Sequence, residues 1–136
     1  FVYDRNQIMA ILNQESSLME IVKLIGSDVL PDDQKLTLEI ARVIRLGFLQ
    51  QNAFHQEDTS VPMEKQFLMM ETILYLYEKC RALVNRGMPV SVLKEDNIFE
   101  RIIAIKYEVP NKELERFDEY HKDIDRFYDN VLERNG

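Results

Sequence analysis

One cysteine, four glycines and four prolines among 136 residues exclude several kinds of protein at once. A lone Cys80 permits no internal disulfide and no cysteine metal cluster, which fits a reducing compartment. So few turn-forming residues argue against an all-β sandwich or barrel, which needs many tight turns. No apolar run approaches the length of a membrane span, so direct membrane insertion is not expected. No basic region precedes an apolar stretch, and no secretory leader is expected. Basic residues are the minority, 17 against 24 acidic, for a net charge of −7. Binding a phosphate backbone needs a surplus of Lys and Arg on one face, so nucleic acid is not an expected partner. Sequence signatures of catalysis are missing too. There is no G-x-x-x-x-G-K-[ST] phosphate cradle, no G-x-G-x-x-G, no G-x-S-x-G and no H-E-x-x-H.

What is present is helix. The 46% hydrophobic content is spread at helical spacing, which rules out low-complexity disorder. A chain of this mass buries about two-thirds of its unfolded surface without a disulfide or metal staple. Five segments read as helices and none as a strand, so the expected fold is a single-domain, all-α bundle. The first runs from about Asp4 to Ile25 on Ile8, Ile11, Leu12, Leu18, Met19, Val22 and Ile25, and Gly26 suits a left-handed cap. The second runs from about Pro31 to Leu46 and faces inward with Leu36, Ile40, Val43 and Ile44. Asp32 and Asp33 sit well against the positive end of its dipole. Residues 47–61 lose the period and read as a loop with a role of its own. The third opens near the candidate cap Ser60, with Pro62 just inside. It carries Met63, Phe67, Met70, Leu74, Tyr77 and Val84, and stops at Gly87 and Pro89. A shorter segment spans about Glu95 to Lys106. The last follows Pro110 with Leu114, Phe117, Tyr120, Ile124, Phe127 and Val131. The chain opens on Phe1 rather than Met and is expected to be part of a longer protein.

Isolated candidates for chemistry have plain structural readings. His55 and His121 fall in different segments with no shared ligand spacing, so surface histidines are expected and no metal site. Cys80 sits among Tyr77, Leu83 and Val84 and reads as a small buried hydrophobe. Glu119-Tyr-His121 misses the Glu-x-x-His spacing of bundle di-iron sites. Two segments stand apart. One is the acidic turn, where Asp28, Asp32 and Asp33 surround Val29 and Leu30, both read as exposed. The other is residues 48–54, where Phe48 and Phe54 frame amide side chains. Those rings suit either core plugs or a stacking wall for a planar ligand.

Residues 30–45, LPDDQKLTLEIARVIR, followed by FLQQNAFH at 48–55, closely resemble the C-terminal domain of the catalytic A subunit of V-type and archaeal-type rotary ATPases. Met63-Glu-Lys-Gln-Phe67 and Asp96-Asn-Ile-Phe-Glu-Arg-Ile102 continue the resemblance, which covers nearly the whole chain. A more distant similarity links residues 28–37 and 48–54 to the DELSEED turn, KLT and FLSQPF of the F-type β subunit. One residue is inserted in the second run, and the turn carries fewer acids here.

The resemblance implies a division of labour. Residues 1–136 would be a C-terminal helical domain, with the phosphate loop and magnesium ligand in a preceding α/β domain that is absent here. No catalytic residue is therefore expected in this chain, and the isolated domain is expected to be inactive. In the intact subunit, an ATP hydrolase or synthase coupled to H+ or Na+ transport, the cofactors would be ATP or ADP with Mg2+. Phe54, with Ala53, Gln51 and Asn52, would line the adenine side of the pocket, whereas Phe48 reads as core. Asp28, Val29, Leu30, Pro31, Asp32 and Asp33 would contact the central stalk. Expected partners are the non-catalytic B subunits of a hexameric ring and the central-stalk subunit. The expected location is cytoplasmic, peripheral to the membrane. The alternative is a free-standing acidic helical module that binds a basic protein.

Overall fold

The computed structural model describes residues 2–49 and 62–135. Every regular element among them is helical. α1 spans Val2–Ile25 and α2 spans Asp32–Val43, the latter running directly into a π-helical segment, Ile44–Leu49. α3 spans Met63–Asn85 and lies at the centre, packed against α1, α2, the π segment and the last helix. Three short helices follow: α4 at Val90–Leu93, α5 at Ile98–Ile103 and α6 at Ile105–Glu108. α7, Phe117–Asn135, closes the bundle against α3 and α5. The all-α bundle expected from the sequence is what forms.

α3 is central because it is apolar on more than one face. The stripe through Met70 and Leu74 is buried, and so are Met69, Ile73, Leu76, Cys80 and Leu83. Met63, placed on that stripe by spacing, is 71% exposed because it opens the helix at the rim. The other end is shaped by Gly87 at φ +96°, a value that strains a side chain but not glycine. Its N–H donates to the Val84 carbonyl while Met88 N–H donates to Leu83, the paired bonds of a Schellman stop.

The second helix does not dissolve into a loop at Gly47. It widens instead, and Ile44 and Gly47 are buried within the π segment. A Cβ on Gly47 would lie 3.1 Å from Met69 Cε and 3.4 Å from Ile103 Cα. Glycine here lets the widened turn lie close against α3 and α5. Phe48 is half-buried and packs on the core, in line with its expected role.

The segment expected at Glu95–Lys106 is three pieces. Asn97, left-handed at φ +59°, separates the turn Lys94–Asp96 from α5, and α6 begins again after Ala104. α7 starts at Phe117, after a 3-10 turn at Leu114–Arg116; of its predicted stripe, Leu114, in the turn, is half-buried, while Phe117, Tyr120, Ile124, Phe127 and Val131 are buried. Each such side chain contributes about 1.5–3 kcal/mol by leaving water. Arg101 pairs with Asp123 at 2.5 Å, and Arg134 grips Asp96 with two bonds of 3.0 and 2.9 Å, tying α7 to the short helices.

Candidate functional site

The α1–α2 corner is where exposed chemistry concentrates. α1 buries only Ile8 and Ile11, so its second half lies beside the body rather than within it. Leu18 and Val22 are half-buried there. Met19 is 37% exposed and Ile25 61%, contrary to the inward stripe that spacing assigned them. At φ +86°, Gly26 takes the left-handed conformation expected of it, and its N–H donates to the Val22 carbonyl to end the helix. Leu30 N–H then donates to Ser27 O at 3.1 Å, closing a tight turn.

This turn sorts its residues differently from the sequence-based expectation. Val29 is exposed, but Leu30 is 6% exposed and belongs to the interior. Asp28 and Asp33 are exposed, whereas Asp32 is half-buried and accepts a 3.0 Å hydrogen bond from Val90 N–H at the start of α4. Two of the proposed contact residues are therefore structural. Leu30 anchors the turn, and Asp32 satisfies an amide that a helix start leaves without an intrahelical acceptor. In their place the structure presents Leu24, 85% exposed, beside Ile25 and Val29. Reading along one helical face missed this tip. The available signal was Ile21, Val22, Leu24 and Ile25 within five residues, more apolar residues than a single face holds.

Below the tip, a cleft of about 550 Å³ runs between α1, α2 and α4, with Asp28, Asp32, Lys35, Arg42 and Lys94 on its walls. Arg42, Arg45, Lys94, Glu15 and Glu39 on its walls are already paired. Glu39, mostly buried, accepts from Arg42 and lies 3.6 Å from Lys94 Nζ, and Arg42 also reaches Glu100. Burial disfavours the Arg42 charge, but the hydrogen bonds to Glu39 and Glu100 outweigh it and raise the pKa. Arg45 pairs with Glu15 at 2.9 Å across the same cleft. The arrangement interlocks three helices.

Elsewhere, Cys80 is the buried residue expected of it, while His121, expected at the surface, is half-buried. Cys80 is fully buried, and that burial pushes its thiol up, away from nucleophilic use. His121 lies 3.2 Å from Thr72 Oγ1, with its ring 4.8 Å from that of Tyr75. Thr72 already donates its hydroxyl to Leu68 O, so it accepts from the imidazole. Among the described residues, no group of three or more His, Cys, Asp and Glu is placed to hold a metal ion. No described helix is long and apolar enough to cross a membrane. Gln51, Asn52, Ala53 and Phe54, together with His55 and Ser60, lie outside the described residues.

The described residues thus form an all-helical domain with an exposed apolar tip and a paired-charge interlock between its helices. Residues 1–92 match the family described as the C-terminal domain of V and A type ATP synthase, and the chain belongs to that family. It is 44% identical over 130 residues to V-type ATP synthase alpha chain 2 of Clostridium tetani, covering 96% of this chain and 22% of that one. The V-type ATP synthase alpha chain of Halothermothrix orenii is 44% identical over 129 residues, covering 95% of this chain and 22% of the relative. The V-type ATP synthase alpha chain of Thermoanaerobacter sp. (strain X514) is 40% identical over 129 residues, with 95% and 22% covered. The chain thus spans about a fifth of the length of these curated relatives.

Proposed function

We propose that this chain is the C-terminal helical domain of the catalytic, ATP-hydrolysing or ATP-synthesising subunit of a rotary ion-translocating ATPase, and that it transmits torque to the central stalk. The observation that carries the reading is the tip at Leu24, Ile25 and Val29, three exposed apolar side chains beside Asp28 at a bend between two helices. Buried apolar contacts carry more of an interface than rim charges do. The membership in a V- and A-type ATP synthase family supports the same assignment. Packed helices transmit displacement rather than absorb it, which suits a lever. The other contacts follow from the reading: non-catalytic B subunits complete a hexameric ring. In the intact subunit ATP or ADP with Mg2+ is bound largely by the preceding domain, and the assembly sits at the cytoplasmic face of a membrane.

The nucleotide-facing part of the proposal rests on residues 51–54. Phe54 stacks on the adenine, flanked by Gln51, Asn52 and Ala53. Loss of that ring by Phe54→Ala in the assembled subunit should weaken nucleotide binding by about 1–3 kcal/mol, the usual worth of a base–aromatic stack.

The torque reading is tested by site-directed cross-linking in the intact complex. Cysteine introduced at Val29 or Leu24 should capture the central-stalk subunit. Capture of ring subunits alone would refute it, and the acidic interaction module would become the better account.

A further inference from the structure

Residues 94–101 hold charged partners on two sides. Lys94 Nζ lies 3.6 Å from Glu39 Oε2 of α2, and Glu100 accepts from Arg42 of the same helix. Asp96 accepts two bonds of 3.0 and 2.9 Å from Arg134 of α7, and Arg101 pairs with Asp123 of α7 at 2.5 Å. The Arg101 guanidinium also lies over the Tyr120 ring of α7, 4.9 Å from its centroid. Half of the residues in this short segment are thus committed, two to α2 and two to α7. Asn97, left-handed at φ +59°, divides the segment between Asp96 and α5. The segment and α7 lie beyond residues 1–92, the part that matches the family.

Stability alone does not call for this pattern. Glu39 is 8% exposed, and a mostly buried ion pair is seldom worth more than well-packed apolar residues of similar volume. Glu100, Arg101 and Arg134 are exposed, and pairs made by such residues contribute little individually. Ile98 and Phe99 are buried, so apolar burial already holds the segment down. That burial is non-directional, whereas charge-assisted hydrogen bonds fix orientation. α2 and α7 both pack on α5, and the paired charges set how each is seated.

We propose that residues 94–101 are a brace between α2 and α7, with Lys94, Asp96, Glu100 and Arg101 as positioning residues that make the two helices move as one body when the tip is loaded. This rests on the torque role proposed above for the tip, which adjoins the start of α2. A load entering there runs along α2, through the brace and into α7. The two sides of the brace are then in series. Cutting either side breaks the path, and cutting both adds little. Separate stabilising contacts behave otherwise, because the effects of distant, independent sites add.

The test uses the intact complex in sealed vesicles. Lys94→Met/Glu100→Ala frees the brace from α2, Asp96→Ala/Arg101→Met frees it from α7, and a third variant combines all four changes. Ion uptake per ATP hydrolysed should fall roughly twofold or more in each pair, while hydrolysis itself changes less. The combined variant should fall no further than the worse pair. Glu100→Ala and Asp96→Ala, each alone, carry the prediction in the same direction if a pair does not assemble. An unchanged ratio, with Val29 still cross-linking to the stalk, overturns the brace and leaves the torque reading standing. Losses that multiply in the combined variant, or hydrolysis and uptake that fall in proportion, also overturn the brace. Failure of both Val29 and Leu24 to reach the stalk in the parent complex overturns the torque reading, and the brace with it.

Discussion

Replacing Asp32 by alanine should separate what holds the α1–α2 corner together from what it presents to a partner. The carboxylate accepts from Val90 N–H at 3.0 Å, joining the first residue of α2 to the first residue of α4. A hydrogen bond to a charged group is worth about 1.5–3 kcal/mol net. Half-exposure lets water replace part of that in the variant, and losing an acid from the first turn of α2 costs a further 0.3–1 kcal/mol or so. A net loss of about 1–2 kcal/mol is expected. For a domain of this size, that lowers Tm by roughly 3–8 °C. Asp28→Ala, at an exposed position, should stay within about 0.5 kcal/mol of the parent chain. Asp32→Asn retains an acceptor oxygen and should recover most of the difference. Thermal and urea unfolding followed by circular dichroism measure all three. Equal midpoints for Asp32→Ala and Asp28→Ala would show that the bond to Val90 adds nothing. In the intact complex the proposed stalk contact predicts the reverse order: Asp28→Ala should perturb stalk affinity, and Asp32→Ala should act only through stability.

Alkaline unfolding should begin in the window set by two tyrosines. Tyr75 is pushed up to about 12 by the hydrogen bond it donates to Asp125, then by burial, and Tyr120 is pushed up to about 12 by burial, then by its bond to Glu108. Raised folded values mean that the neutral phenols' contribution is full below pH 10 and is lost as pH rises from about 10 to about 12. A tyrosinate absorbance titration of the folded chain should show late-titrating groups that join the rest in urea, and a single transition in both conditions would contradict this. Gly47→Val forces branched carbons toward Met69 Cε and Ile103 Cα and should destabilise by about 1–3 kcal/mol in urea unfolding.

Elements whose pattern and local chemistry agree were legible in the sequence. The α7 stripe repeats every three or four residues against a charged outer face, and all its predicted members but the half-buried Leu114 are buried. Gly87 and Pro89 marked the end of α3 correctly, because a left-handed cap has few residue choices. Periodicity failed where tertiary packing overrode it. Between Glu95 and Lys106 the apolar residues are dense enough for one helix. The left-handed Asn97 breaks that register, and α5 must pack between α2, the π segment and α7. At Gly47 the same residue type carried the opposite meaning. Instead of stopping a helix it admits close contact with Met69 and Ile103, which no local rule reveals.

The corner shows why a contact surface is harder to read than a core. Val29 and Leu30 are adjacent and similarly apolar, so hydrophobicity cannot say which one faces solvent. The turn decides it: Gly26 reverses the chain, the Leu30–Ser27 bond closes it, and only Leu30 is buried. The acids sort in the same way, since Asp32 finds Val90 only after α4 has folded back 58 residues later. In the folded chain the inner carboxylate is occupied by an amide, and the nearby cleft's arginines are held by Glu15, Glu39 and Glu100. What stays exposed at this corner is the apolar group Leu24, Ile25 and Val29 with Asp28 and Asp33 at its edge. An interface built that way should be only weakly salt-dependent, because exposed charge pairs are screened and apolar burial is not. Stalk cross-linking from Val29 should therefore persist in moderate salt. Its loss on adding salt to a complex that remains assembled would return the contact to the acids.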